Sequence, residues 1–278
     1  CDCSSCLYFS QSSAYFLGGE KNLKILLVND DGILAPGIRA LAEELKNAGH
    51  KIMIVAPDSE RSAASHSLSI RKELKVNKIA ENEYAVSGTP VDCSVIALQK
   101  ILTEQVDLII SGINAGQNMG EDVLYSGTVG AAMEAALLGY RAIAVSINSY
   151  INQKFDVAAY WMRKLLDLGI AKQAEAYGVL NINIPNLPLE EIKGIRLTRT
   201  GHRKYYNFVK IIKENEDGFI YEVGGDIPVW DNETGTDAEA VNNGYISLTP
   251  LGFELTRSET FPRILNWLEE NNLLQLES

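Results

Sequence analysis

The body of this chain has almost no cysteine. Of four cysteines in 278 residues, Cys1, Cys3 and Cys6 crowd the first six positions, which leaves Cys93 alone in the remainder. That distribution excludes a disulfide framework for the body. Basic residues are also in deficit, and the formal net charge of -11 argues against the phosphate-driven binding of duplex nucleic acid, which needs a basic face. No apolar run reaches the roughly 18 to 20 residues of a membrane helix. A soluble, cytoplasmic protein without a membrane partner is expected. Internal repeats and low-complexity tracts are missing from the body too.

What is present is core-forming material: 46% of the residues are hydrophobic, enough for one large domain. The opening stretch "CDCSSCLYFSQSSAYFLGGEKN" has no basic n-region and no continuous apolar segment. It reads as an appended flexible tail over residues 1–22, and three thiols without a fourth ligand are weak grounds for a metal site. The fold is then expected over 23–278. Strand and helix patterns alternate there, beginning with "LKILLV", "PGIRALAEELKNAGH" and "KIMIVAP", a βαβ unit with parallel strands. "VDLIIS", "TVGAAMEAALLG", "RAIAVSIN", a helix near Asp156 to Leu168 and "VLNINIP" continue it. A mainly parallel, Rossmann-like three-layer α/β core over 23–194 is expected, with its sheet complete at "VLNINIP". Beyond residue 195, "IRLTRTGHRKYYNFVKII", "GFIYEVGG" and "GYISLTPL" read as strands without intervening helices, followed by a closing helix in "PRILNWLEENNLL". This makes 195–278 a β-rich extension.

The chemistry concentrates after the strands. Asp30 and Asp31 stand side by side at the end of the first one. Two carboxylates about 4 Å apart repel by about 4 kcal/mol at an effective dielectric near 20, so the pair needs compensation. Asp-Asp-Gly is also ordinary turn composition. The sharper reading is a divalent cation held by carboxylate oxygens. Further oxygen donors lie on later loops, at Ser62 in "ERSAASHS" and at Asn114 and Asn118 in "SGINAGQNMG". With His66 the one histidine nearby, this donor set suits Mg²⁺, Mn²⁺ or Ca²⁺ better than zinc. The glycines of that second loop match neither nucleotide fingerprint. In "YSGTVGAAMEAA", Ser126, Gly127 and Thr128 open a helix, whose N-terminal N–H groups either bind phosphate or are simply capped. His66 could donate a proton to a leaving group or be an ordinary loop histidine. Arg61 is equally ambiguous, and Arg199, His202 and Arg203 form a small basic cluster that fits a phosphate or a subunit contact.

Taken in order, "LLVNDDGI", "VAPDSERSAASHSLSI", "SGINAGQNMGEDVLYSGTVGAAMEA" and "GYISLTPL" closely resemble the SurE family of survival-protein nucleotidases, over about residues 23 to 270. The resemblance implies a metal-dependent phosphatase acting on nucleoside 5′- and 3′-monophosphates. It also implies one divalent cation per subunit, Mg²⁺ or Mn²⁺, and a β extension used to build a homodimer or homotetramer. Its metal ligands fall on Asp30, Asp31, Ser62 and Asn114, and its phosphate-contacting segment on Ser126, Gly127 and Thr128, with Asn118 close by. Gln117 stands where the family often has proline. The expected mechanism is attack on phosphorus by water, with Asp30 or Asp31 as proton acceptor and His66 assisting the leaving alkoxide. Two other readings remain open: a nucleotide-sugar glycosyltransferase, which requires a second nucleotide-binding half, and a nucleotide-binding sensor that does not turn over.

Overall fold

The computed structural model describes residues 22–273 apart from 205, 207, 208, 216, 217, 225–228, 232 and 272. The expected tail, with its three cysteines, therefore lies almost wholly outside the described residues.

Strand β1 (Lys24–Val28) is followed by helix α1 (Pro36–Asn47) and strand β2 (Lys51–Pro57). Pro36 sits in the first helical turn, where its missing N–H costs nothing. Gly49, at φ +90, turns the chain back after the helix. A hairpin of β3 (Val76–Ala80) and β4 (Glu83–Val86) comes next, then α2 (Pro90–Ile96), β5 (Leu108–Ala115), α3 (Gly127–Leu137), β6 (Ala142–Asn148), α4 (Phe155–Asp167) and β7 (Val179–Pro185). Helix α2 opens on a capping box in which Thr89 and Asp92 satisfy each other's backbone N–H groups.

The remaining elements are β8 (Ile195–Leu197), β9 (Arg203–Lys204), β10 (Val209–Asn215), β11 (Gly218–Val223), β12 (Val229–Trp230), α5 (Asp237–Asn242), β13 (Ile246–Leu251) and α6 (Phe261–Glu270). Two expectations are corrected by them. Helix α5 interrupts the run of strands, capped by the Thr236 hydroxyl, which accepts from Glu239 N. The sheet also does not end at β7, because β13 pairs antiparallel with β7 and β8 parallel with β13. A polar alternation such as "GYISLTPL" shows a strand but not its partner.

The main sheet runs in the order β3-β4-β2-β1-β5-β6-β7-β13-β8. All neighbours from β4 to β7 are parallel. Strand alternation distributes its side chains between two cores. Ile25 and Leu27 join the cluster that holds Ile38, Leu41, Trp161 and Met162 of α1 and α4. Leu26 and Val28 face Cys93 of α2 and Val129, Ala132 and Ala136 of α3 on the other side. The result is the three-layer α/β sandwich with a mostly parallel sheet. Beside it, β10 and β11 form one antiparallel ribbon, and β9 and β12 another.

Connections leave β1 toward β2 on one side, while β5 lies on its other side. The loops after β1 and β5 therefore diverge and open a crevice at the carboxyl ends of these strands, where ligands of open α/β sheets bind.

Candidate active site

Both aspartates sit in that crevice. Asn29 fixes the turn carrying them, its Nδ2 donating to the Gly32 carbonyl at 2.8 Å and its Oδ1 accepting from Gly32 N at 3.2 Å. Gly32 has φ +103, a conformation that favours glycine, and it lies against the backbone of Ser59 and Glu60. From the loop after β2, Arg61 N donates to the Asp30 carbonyl at 2.8 Å. The loop after β2 is thus laced to the loop after β1.

Asp31 Oδ2 accepts from Ala115 N, at the end of β5, at 3.0 Å. Burial pushes the Asp31 carboxyl up to about 6, and the adjacent Asp30 charge and Glu60 add to the rise. Asp30 is buried and its carboxyl is raised by that burial, against the opposing pull of Thr128. The Thr128 hydroxyl donates to Asp30 Oδ1. A Cβ on Gly127 would lie 2.9 Å from Asp30 Cβ and 3.0 Å from Oδ2, so the first turn of α3 rests directly on this carboxylate. Among the described residues, no lysine or arginine pairs with either aspartate.

Of the other expected residues, Asn114 lies beside this pair, next to Ala115 at the end of β5, with its Nδ2 donating to the Gly116 carbonyl at 2.8 Å. Ser62 follows Arg61, and its hydroxyl is turned to Glu60. Asn118 is buried and held by Asn181, Asn183 and Ser146. Ser126 is the N-cap of α3, its hydroxyl accepting from Val129 N at 3.0 Å, which leaves Gly127 N–H at the helix end. His66 is engaged through Nε2 with Glu134 Oε2 at 2.8 Å. The site's own geometry thus gives Thr128 a partner in Asp30 and His66 a partner in Glu134.

The basic cluster is paired internally. His202 Nδ1 meets Glu121 Oε1 at 2.6 Å, Arg199 meets Glu233 at 2.7 Å, and Arg203 meets Asp122. Arg61 reaches Asp58 at 3.2 Å. Sequence reading passed over Asn29, Glu60, Glu134 and the two β7 asparagines. Asn29 could have been found from the Asn-Asp-Asp-Gly turn itself, since asparagine side chains brace such turns. The others needed contacts across the sheet.

A divalent cation fits what is there. Asp30 is buried and Asp31 half-buried, and carboxylates so placed want positive charge; the oxygens of Ser62, on the loop after β2, and of Asn114, at the end of β5, are of the hard type such ions take. Among the described residues, no group of three His, Cys, Asp or Glu side chains is placed to hold a metal, so amide and hydroxyl oxygens would have to complete the coordination.

A mostly parallel sheet with paired carboxylates at its switch point, set against a helix N-terminus, defines a Rossmann-like α/β protein. Residues 25–207 match the family model described as Survival protein SurE. The chain belongs to the SurE family. It is 44% identical over 249 residues to the 5′-nucleotidase SurE of Vibrio cholerae serotype O1, covering 89% of this chain and 98% of that one. It is likewise 44% identical over 252 residues to the 5′-nucleotidase SurE of Vibrio vulnificus, covering 90% and 97%. The crystal structure of the SurE protein from Aquifex aeolicus superposes with a TM-score of 0.74 at 41% identity, covering 88% of this chain and 99% of that one.

Proposed function

We propose that this chain is a cytoplasmic, divalent-cation-dependent phosphatase that releases phosphate from nucleoside 5′-monophosphates and, at the same site, from 3′-monophosphates. The observation that carries this reading is the contact of the α3 N-terminus with Asp30, because a helix N-terminus suits a phosphate and no lysine or arginine among the described residues neutralises the acidic pair beside it. The names of the relatives in Vibrio support the nucleotide substrate.

Mg²⁺ or Mn²⁺, held by Asp30, Asp31, Ser62 and Asn114, would neutralise the acidic pair and the phosphoryl charge and lower the pKa of water. The residues of the chain do the rest. Gly127 N–H and the Asn118 amide hold phosphoryl oxygens, with Ser126 shaping the helix end and Thr128 fixing Asp30. Asp31 has Oδ2 committed to Ala115 N, so its Oδ1 accepts the proton of the attacking water. His66 donates through Nε2–H to Glu134 and, as the imidazolium, gives its Nδ1 proton to the leaving alkoxide.

Phosphate release from nucleoside monophosphates, measured with Mg²⁺ or Mn²⁺ and then with EDTA, tests the reading; full release in EDTA overturns it. Tight nucleotide binding without turnover under either cation would mark a non-catalytic sensor instead. The glycosyltransferase reading needs a second nucleotide-binding half, and among the described residues there is one parallel sheet. For assembly, the exposed side chains of Phe261, Ile264, Leu265 and Trp267 on α6 support a homodimer or homotetramer. Light scattering of a Trp267→Glu variant checks it.

A further inference from the structure

Strand β7 is buried along its whole length, yet it contains two asparagines, Asn181 and Asn183, that are fully excluded from solvent. A buried carboxamide is unfavourable unless its polar atoms are paired. Here the pairing converges on one residue. Asn183 Oδ1 accepts from Asn118 N at 2.8 Å, and Asn183 Nδ2 donates to the Asn118 carbonyl at 3.0 Å. This reciprocal pair fixes the orientation of the Asn183 amide, since a flip would set donor against donor and acceptor against acceptor. Asn181 Nδ2 donates to the same carbonyl at 2.8 Å.

Asn181 does so while its own buried Oδ1 has no hydrogen-bond partner among the described residues. Leaving a buried acceptor unpaired is a cost that packing alone does not require; an apolar residue would fill the same place without it. The side chain of Asn118 is held in turn, its Nδ2 donating to Ser146 Oγ on β6 at 2.8 Å. One of the two Nδ2 hydrogens is thereby used, and the second remains for a ligand. Backbone and side chain of Asn118 are locked from below by two neighbouring strands.

We infer that Asn183, assisted by Asn181 and Ser146, is a positioning residue that acts through Asn118, holding its free amide hydrogen at the phosphate pocket. This rests on the reading above, in which Asn118 contacts a phosphoryl oxygen. A donor fixed in advance binds without the ordering cost a mobile side chain would carry. Because the contact is made to the substrate phosphate before and during reaction alike, loosening it weakens binding more than turnover.

The test uses the full chain with Mn²⁺ and a nucleoside 5′-monophosphate, with inorganic phosphate as a competitive inhibitor. Asn183→Asp replaces the Nδ2 donor with an oxygen that faces the Asn118 carbonyl. KM and the phosphate inhibition constant are expected to rise together, by about fivefold or more for the loss of one oriented hydrogen bond, with kcat within about twofold. Ser146→Ala is the gentler variant, expected to move both constants the same way by less, and it stands in if Asn183→Asp does not fold by circular dichroism. Folded variants with KM and phosphate inhibition unchanged, or with kcat falling alone, overturn the inference. Absence of phosphate release by the unaltered protein would instead overturn the functional reading, a separate outcome.

Discussion

The Thr128 hydroxyl donates to Oδ1 of Asp30 across 98 residues of sequence, joining the first turn of α3 to the end of β1. Burial raises the Asp30 carboxyl, and this hydrogen bond opposes the rise by favouring the ionised form. Thr128→Val keeps the shape and removes the donor. It is expected to lower stability by about 1.5 to 3 kcal/mol, the usual worth of a hydrogen bond to a charged group, and to lower phosphatase activity by a larger factor than Thr128→Ser. Urea unfolding and phosphate release on both variants check this.

Gly127 is the other point where α3 meets that carboxylate. A methyl added there would stand 2.9 Å from Asp30 Cβ and 3.0 Å from both Asp30 Oδ2 and Pro90 Cγ. Gly127→Ala would normally favour a helix, yet it is expected to cost about 1 to 3 kcal/mol by overpacking and to abolish most activity. Stability equal to or above that of the unaltered protein would contradict the contact.

Cation binding can be read without any activity. A ligand that binds only the folded state stabilises it by about 2.7 kcal/mol at a hundred times its Kd. Mg²⁺ or Mn²⁺ is therefore expected to raise the melting temperature of the protein and to leave that of Asp31→Asn nearly unchanged. Equal shifts in both would place the cation elsewhere.

His50 supplies a pH dependence remote from the acidic pair. Its Nδ1 accepts from Leu23 N at 3.2 Å, at the entrance to β1. Burial lowers its pKa below the ordinary 6.5, with the Asp167 charge acting in the opposite direction. The folded state thus binds fewer protons at this site than the unfolded chain. Its contribution to stability is complete above the unfolded-state pKa and lost as pH falls through the folded one. Urea midpoints at pH 7.5 and 5.5 should differ by less in His50→Gln than in the unaltered protein.

Much of the fold was legible along the chain. Aliphatic runs such as "KILLV" and helical spacing in "PGIRALAEELKN" are local consequences of burial on one or both faces, so β1 and α1 could be assigned from them. The polar segments after β1, β2 and β5 could be read as loops, because they break those aliphatic runs. Asn181 and Asn183 were not legible as supports of Asn118: in "VLNINIP" they alternate with apolar residues, the pattern of a strand with one solvated face. In the fold that second face is covered.

By itself, then, the sequence determined the order of elements from β1 to β7 and the acidic pair at the end of β1, because these depend on residue chemistry and short-range periodicity. Only the tertiary structure decided that β13 and β8 extend the main sheet, that Thr128 belongs to Asp30 and His66 to Glu134, and that Asn118 rests on β7. Each of these joins residues about fifty or more positions apart. Their pairing is set by strand order and packing of the whole core, which no local pattern encodes.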